Sequence, residues 1–286
     1  MNLEDLKFQL LDYKGLQTLV AWATEEGWNP GPHDALVYWA TDPEGFYGYY
    51  HEGELIAGGS LVSYNGEFGF MGFFIVKPEY RSKGLGRQLW YQRRDQLLSR
   101  LQPGATIGMD GVLAMQSFYQ QGGFEIAYRD ERHEKIGATY AVHTSISAID
   151  QQNLTDILAY DQQCFGFARP QFLKPWLQQP EGKGFQYMEN NQLKGFAFIR
   201  KASNGRKIGP LFADKAVVAE ELYKACLNAA VGESVYLDIP VVNPAAVALT
   251  QKYETTYVFE CARMYQGKAP VTDIHKIFGI TTFELG

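Results

Sequence analysis

One stretch of the 286-residue chain has the residue types and spacing of an anion site: Phe73-Phe74-Ile75-Val76-Lys77-Pro78-Glu79-Tyr80-Arg81-Ser82-Lys83-Gly84-Leu85-Gly86-Arg87. An apolar run, read as a strand, leads into a loop whose glycines lie two apart, and a helix is expected to start there. Successive backbone N–H groups at such a turn face one concavity, and a helix N-terminus adds partial positive charge. Together they suit a pyrophosphate. Glycine at 84 and 86 lets a phosphate approach the backbone where a Cβ would block it. Arg81, Lys83 and Arg87 add formal charge beside it. The loop is not a Walker loop, because no Gly-Lys-Ser/Thr ends it. It also lacks the third glycine and the following acid of a dinucleotide fingerprint. The alternative is a strand-to-helix turn that needs glycine for geometry alone.

The elements that must position this loop are legible as a mixed α/β pattern. Apolar residues Leu16, Leu19, Val20 and Ala23 have helical spacing within 8–28, a helix that ends near Gly27. Trp28-Asn29-Pro30-Gly31-Pro32 breaks it, and a second helix is expected over 34–40. Strands are read at 46–50 and 55–62 about the turn Glu52-Gly53-Glu54. The nearly continuous apolar run 68–76 reads as one strand buried on both faces. A helix over 89–101, a strand at 105–109 and a short helix at 114–121 stopped by Gly122-Gly123 follow. Strands at 124–128 and 139–143 complete the half. After a polar boundary at 144–153, the order helix, meander, strand, long helix, strand, short helix begins again. The chain is read as two divergent copies of one unit, residues 1–143 and 144–286, each a mostly antiparallel central sheet flanked by helices.

Composition narrows the function. With 46% hydrophobic and 20% charged residues the chain can bury a large interior, and its length suits about two domains. A formal net charge of −6 speaks against a general nucleic-acid binder, although Arg81, Lys83, Arg87, Arg93 and Arg94 form a local basic patch. The N-terminus has early acids and no apolar core of a signal peptide, and no apolar run is long enough to span a bilayer, so no membrane association is expected. Three scattered cysteines, Cys164, Cys226 and Cys261, fit a reducing, cytoplasmic setting rather than a disulfide framework. The five histidines show no ligand spacing, so no metal is expected.

Val76-x-Pro78-x-x-Arg81-x-x-Gly84-x-Gly86 resembles motif A of the GCN5-related N-acetyltransferase (GNAT) superfamily, and Tyr119-Gln120-Gln121-Gly122-Gly123-Phe124 resembles its motif B. The resemblance covers roughly 4–143. The second half is similar in weakened form: Asn243-x-x-Ala246-x-x-Leu249 resembles the helix before the motif B tyrosine, Thr250 stands in the tyrosine position, and no glycine loop follows Gly209-Pro210-Leu211-Phe212. An intact unit followed by a degenerate one resembles the tandem YitH-like bacterial acetyltransferases, as does the closing run 277–286.

The resemblance implies acetyl-CoA as co-substrate, held by Phe74, Ile75, Val76, Arg81, Ser82, Lys83, Gly84, Leu85, Gly86 and Arg87, with a backbone N–H at 74–76 as oxyanion donor. It implies Tyr119 as the acid that protonates the leaving thiolate, against the plain alternative of an aromatic on an amphipathic helix. The general base is open. Run 68–74 carries no acid, so Glu67, Asp110, His33 and His51 remain, each with a reading as an ordinary surface or strand-end group. The 28–34 loop is expected to border the acceptor, with Trp28 stacking, Asn29 and His33 beside it, and Asp34 receiving a cationic amine or capping a helix. Phe165, Phe167 and Trp176 either close the pocket or belong to the core. The implied activity is acetyl transfer to a small-molecule amine by direct attack. Competing readings are an acyl-CoA-binding sensor that has lost turnover, a transferase using aminoacyl-tRNA and a protein-lysine acetyltransferase.

Overall fold

The computed structural model describes residues 6–286, so Met1 to Asp5, on which the reading of the N-terminus rests, lie outside the described residues. The first half runs β1 (Phe8–Leu10), α1 (Tyr13–Glu25), α2 (Asp34–Thr41), β2 (Phe46–His51), β3 (Glu54–Ser60), β4 (Val62–Tyr64), β5 (Phe68–Phe70), β6 (Ile75–Val76), α3 (Leu85–Leu98), β7 (Thr106–Val112), α4 (Gln116–Gln121) and β8 (Glu125–Ile136). The second runs β9 (Ile146–Ala148), α5 (Leu154–Phe165), α6 (Pro170–Leu177), β10 (Lys183–Glu189), β11 (Gln192–Lys201), β12 (Arg206–Ala213), α7 (Ala216–Asn228), β13 (Ser234–Pro240), α8 (Pro244–Lys252), β14 (Thr256–Gln266) and β15 (Ile277–Gly279). The expected mixed α/β architecture of two similar units is what forms.

Local chemistry explains the element ends. The Asp12 carboxylate accepts from the Gly15 N–H at 2.8 Å and starts α1. Helix α3 begins four residues earlier than the apolar pattern predicts, because Gly84 adopts φ +85 and caps it in the left-handed conformation. The predicted strand at 139–143 is instead coil: Asn228 of α7 accepts from the Tyr140 N–H at 2.6 Å and donates to its carbonyl at 2.8 Å, which occupies the groups a sheet would need.

The largest departure from the sequence reading is in 68–76. The run does not form one strand but forks. Its first part, β5, pairs parallel to β7, Phe68 opposite Thr106 and Phe70 opposite Gly108, and the Met71 N–H still reaches the Gly108 carbonyl at 2.9 Å. Its last part, β6, pairs instead with β3 in a separate four-stranded sheet, β1-β2-β3-β6. Burial on both faces holds for 68–71, whereas Phe74 and Val76 are half-buried along one face of the later part. Leu16 and Leu19 of α1 share a core with Phe73 and Ile75, while Leu85 and Leu89 of α3 share another with Tyr49 and Ile56.

The second sheet joins both halves in the order β4-β5-β7-β14-β8-β13-β12-β11-β10-β9, with β15 against β12. Strand β14, from the second half, lies antiparallel between β7 and β8 of the first, Cys261 opposite both Val112 and Asp130. Strand β8 in turn pairs with β13, from Ser234 opposite Ile136 to Pro240 opposite Asp130. Pairing on both edges accounts for the twelve residues of β8, where the sequence suggests five. Alternation along β11 sends Phe196 and Phe198 into a core shared with α1, α2, α5 and α6, and Ala197 and Ile199 into one with α7. Phe165, Phe172 and Trp176 belong to that shared core, and the Trp176 indole N–H donates to the Gly209 carbonyl at 2.8 Å. Among the described residues no helix is long and apolar enough to cross a membrane.

The exchange predicts that neither half is stable alone. Expressed separately, residues 1–143 lack the strand that fills the gap between β7 and β8, and residues 144–286 lose both partners of β14. Each piece is expected to aggregate, and co-expression to restore a soluble one-to-one complex by size-exclusion chromatography. Two well-behaved separate monomers would contradict the interlock.

Candidate active site

The fork opens a cavity of about 540 Å³ between β6 and β7. Three groups hold it open. Gly72 is tied to the end of β3 by two bonds, the Ser60 N–H to the Gly72 carbonyl at 3.0 Å and the Gly72 N–H to Ser60 Oγ at 2.8 Å. The buried Arg93 guanidinium donates to the carbonyls of both residues, at 2.5 Å to Ser60 and 2.7 Å to Gly72. Phe73 takes φ +41, a left-handed conformation that costs a non-glycine residue energy and is kept in place by its surroundings. A Cβ at Gly59 would lie 2.2 Å from the Phe73 carbonyl and 2.4 Å from Arg93 Nη1, so only glycine fits beside this clamp. Arg93 is therefore not part of the surface basic patch that the sequence suggests. Burial lowers its pKa to about 10, still high enough to keep it charged at neutral pH.

At the outer end stands the 81–87 loop. The N-terminus of α3 has no side-chain cap, which leaves its first N–H groups facing outward. Gly86 lines the cavity, and a Cβ there would meet only Phe74 at 3.5 Å and Val76 at 3.6 Å. The fold itself tolerates a side chain at 86, so its absence leaves room for something else. Arg81, Ser82 and Arg87 line the cavity with Phe74, Ile75 and Val76. Arg81 Nε donates to the Val76 carbonyl at 2.8 Å, and its other arm pairs with Glu26. Lys83 Nζ donates to the Glu79 carbonyl at 2.8 Å, outside the cavity wall, and Leu85 points into the core instead.

Tyr119 of α4 lines the middle of the cavity and is almost fully buried, its ring 6.4 Å from Phe74 and stacked 6.2 Å from Trp90. Burial pushes its pKa up, with the Arg93 charge opposing, so the phenol keeps its proton at neutral pH.

The inner end draws on both halves: Trp28 and Asp110 from the first, Phe259, Cys261, Phe283 and Glu284 from the second. The Trp28 carbonyl is held by Arg132 Nη1 at 3.1 Å and Lys207 Nζ at 3.0 Å. Arg132 also pairs in both arms with Asp238, at 2.6 and 2.7 Å. Asp110 is paired in both oxygens with Arg263, at 2.7 and 2.9 Å. Burial still holds the Asp110 pKa up, at about 6. Across Cys261, Asp130 is fully buried and neither oxygen has a hydrogen-bond partner. Burial and the Asp110 charge push its pKa far up, so Asp130 is the neutral member of the two.

Of the acceptor residues expected from sequence, the cavity gathers Trp28 and Asp110 but not Asn29, His33 or Asp34. Asn29 turns toward the second half, exchanging two hydrogen bonds with the Asn204 backbone. His33 faces Glu181 at 3.4 Å. Asp34 is wholly buried, paired with Arg200 at 2.9 Å and accepting from the Gly31 N–H at 2.7 Å, so an amine in the cavity cannot reach it. The helix cap position there belongs to His33. Glu67 sits exposed on the β4–β5 turn, and His51 stacks edge-on against Tyr80, so neither is a base in this cavity. Phe259, Cys261, Phe283, Glu284 and Glu26 were not foreseen. They lie far from the loop in sequence, and no spacing could have joined them to it.

Two consequences follow for stability. Asp110→Asn leaves the Arg263 charge without its partner and is expected to cost about 3–5 kcal/mol, whereas Asp130→Asn replaces a neutral acid by a neutral amide and is expected to cost about 1 kcal/mol or less, both read by urea denaturation. Burial first, then the Arg132 charge, lowers the Lys207 pKa to about 7. The unfolded chain then binds more protons between that pH and the ordinary lysine range, so this residue's contribution grows as pH rises and is lost as pH falls through 7. Relative to Lys207→Met, the wild type should gain thermal stability from pH 7 to pH 9. A constant difference would refute the lowered pKa.

Residues 13–124 match the model of the acetyltransferase (GNAT) family, and residues 157–279 match an acetyltransferase (GNAT) domain. A holothin acyltransferase of Pseudoalteromonas sp. (strain SANK 73390) is 29% identical over 276 residues, 94% of this chain and 91% of that protein. The crystal structure of an acetyltransferase candidate from Pyrococcus horikoshii has TM-score 0.84 at 20% identity, covering 100% of this chain and 98% of its own. A tandem GNAT protein from the clavulanic acid biosynthesis pathway has TM-score 0.64 at 13% identity, covering 93% and 100%. At such identities the two structures speak for the fold alone.

Proposed function

Since the chain belongs to the GNAT acetyltransferases, with two GNAT domains in tandem, and is a GNAT-type N-acyltransferase, we propose that it acetylates the amine of a small molecule with acetyl-CoA in the first-half cavity. The observation that carries this reading is the contrast between two equivalent forks. Parallel pairing of β12 and β13 ends at Ile208 opposite Leu237, as that of β5 and β7 ends at Phe70 opposite Gly108. Beyond that point β15 occupies the second fork, pairing with Leu211 and Phe212, while the Ile280 N–H bonds the Asp238 carbonyl. The first fork stays open and ends on an uncapped, glycine-bearing helix start.

The residues suit acyl-CoA. The N–H groups at the uncapped start of α3, with Arg81, Ser82 and Arg87, would hold a pyrophosphate, and the bare Gly86 gives it access, while Lys83 stays turned to the Glu79 carbonyl. Bound there, acyl-CoA supplies the acyl thioester. An N–H of residues 74–76, freed from β7 by the fork, donates to the carbonyl oxygen as negative charge develops. Tyr119, held protonated, gives its proton to the departing sulfur. The inner chamber receives the amine. The acetyl group follows the resemblance to the tandem YitH-like enzymes, and a small acceptor fits both the enclosed chamber and the relative that acylates holothin. A cytoplasmic site suits three buried free thiols.

Acetyl-CoA titration by calorimetry tests the loop. Gly86→Trp is the suitable variant, because any side chain at Gly84 (φ +85) would strain the backbone by itself. Binding should vanish in Gly86→Trp with the fold kept. Tyr119→Phe should bind acetyl-CoA as the wild type does and lose about 10²–10⁴-fold in kcat for thiol release. Binding without turnover on any amine would favour a sensor, and no binding at all would overturn the acyl-CoA reading.

A further inference from the structure

We propose that the acceptor is a primary amine carried on a flat apolar ring, and that Glu284 receives its ammonium group and takes one of its protons. This rests on the acyltransferase reading and names the substrate class of the same cavity.

The charges around the inner chamber single out Glu284. The nearby cations are committed: Arg263 to Asp110 in both arms, Arg132 to Asp238 and the Trp28 carbonyl, and Lys207 to that carbonyl. Asp110 is matched by Arg263. Glu284 lines the cavity and is buried, yet its carboxylate accepts only from hydroxyls, those of Thr282 and, at 3.4 Å, Tyr38. No ion pair within 4.0 Å is formed by Glu284 among the described residues. A buried carboxylate bonded only to hydroxyls, with Arg132 and Lys207 near enough to feel its charge but beyond ion-pair distance, gains from a cation brought into contact with it. An anionic acceptor would meet it with repulsion. Its backbone is also fixed at the fork: a Cβ on Gly72 would lie 2.0 Å from the Glu284 carbonyl oxygen. The carboxylate is thus anchored beside the strand whose N–H groups are proposed to stabilise the oxyanion.

The walls give the shape. Trp28, Phe259 and Phe283 line the same end, with the two phenyl centroids 5.7 Å apart and their planes at 59°. The Arg132 guanidinium backs both rings, at 4.6 and 5.3 Å, which fixes their orientation. Aromatic faces lining this end favour a planar apolar body over a flexible polar chain.

The proton balance closes. The ammonium gives one proton to Glu284, which frees the nitrogen lone pair. Nitrogen forms its bond to the acyl carbon as the carbon–sulfur bond breaks. Sulfur takes the Tyr119 proton, and the second proton lost by nitrogen restores Tyr119. Glu284 then returns its proton to solvent, so one proton is released per turnover.

The test measures thiol release with acetyl-CoA and 2-phenylethylamine, tryptamine or putrescine. The two ring amines should exceed putrescine by about tenfold or more in kcat/KM. Glu284→Gln should lower kcat/KM for 2-phenylethylamine about 100-fold while the acetyl-CoA Kd stays unchanged, and Glu284→Asp should recover part of the loss. Phe259→Leu should narrow the gap between ring amines and putrescine. Full activity in Glu284→Gln, or a preference for putrescine, overturns the proposal. Should the wild type fail to bind acetyl-CoA, the acyltransferase reading falls by itself. Calorimetric binding of 2-phenylethylamine then decides the acceptor site: loss in Glu284→Gln supports it, and no binding by the wild type, or equal binding by both, refutes it.

Discussion

A backbone can pair with one neighbour on each side, and near Met71 the chain changes which neighbour that is. Up to there the strand belongs to β7, and from Ile75 it belongs to β3. Everything distinctive about this protein follows from that change of partner. The peptide groups between the diverging strands lose their sheet partners, a cavity opens, and a helix start comes to its mouth. The geometry is strained at Phe73 and is paid for by Arg93, whose buried guanidinium fastens the Ser60 and Gly72 carbonyls. Gly59 supplies the clearance that this clamp needs.

The same divergence exists in the second half, with the opposite outcome. There the chain folds back and lays β15 into the fork, and Asn243 holds it by donating to the carbonyls of His275 and Ile277. What separates an open fork from a closed one is whether a strand is available to fill it. The filling strand continues into residues 280–286, which cross to the first half and finish its chamber with Phe283 and Glu284. Arg169, buried and paired with Asp161, holds that crossing through the Thr281 hydroxyl at 2.8 Å and the Gly286 oxygen at 2.6 Å. The degenerate copy thereby becomes a wall of the intact one.

Exchange of β14 for a continuous first-half sheet has an electrostatic consequence. It brings Arg263 to Asp110 and sets Asp130 behind Cys261, so charges from separate halves meet where water is scarce. Asp110 is matched by Arg263, and Asp130, with no partner for either oxygen, keeps its proton. Among the described residues Asp110 is paired at the inner end, and Glu284, which forms no ion pair within 4.0 Å, lies on the crossing segment.

The sequence by itself determined much of this. Period and breakers marked most helices and strands, and the repeated order of elements disclosed two units. The 81–87 loop and Tyr119 were legible because each depends on local features: glycines two apart, a helix start, an aromatic one turn before a glycine stop. These features act within a few residues, so spacing carries them. The fork was not legible, since an apolar run looks the same whether it keeps one partner or exchanges it for another. Nor was the inner chamber. Asp34 was read as facing an amine, but Arg200, over 160 positions away, claims it. Glu284 and Phe259 entered the site only because strand exchange and the crossing tail carried them there. Which distant groups meet, and which charge is left for a ligand, is decided by long-range pairing of backbone and of ions, and that is settled only when the two halves close on each other.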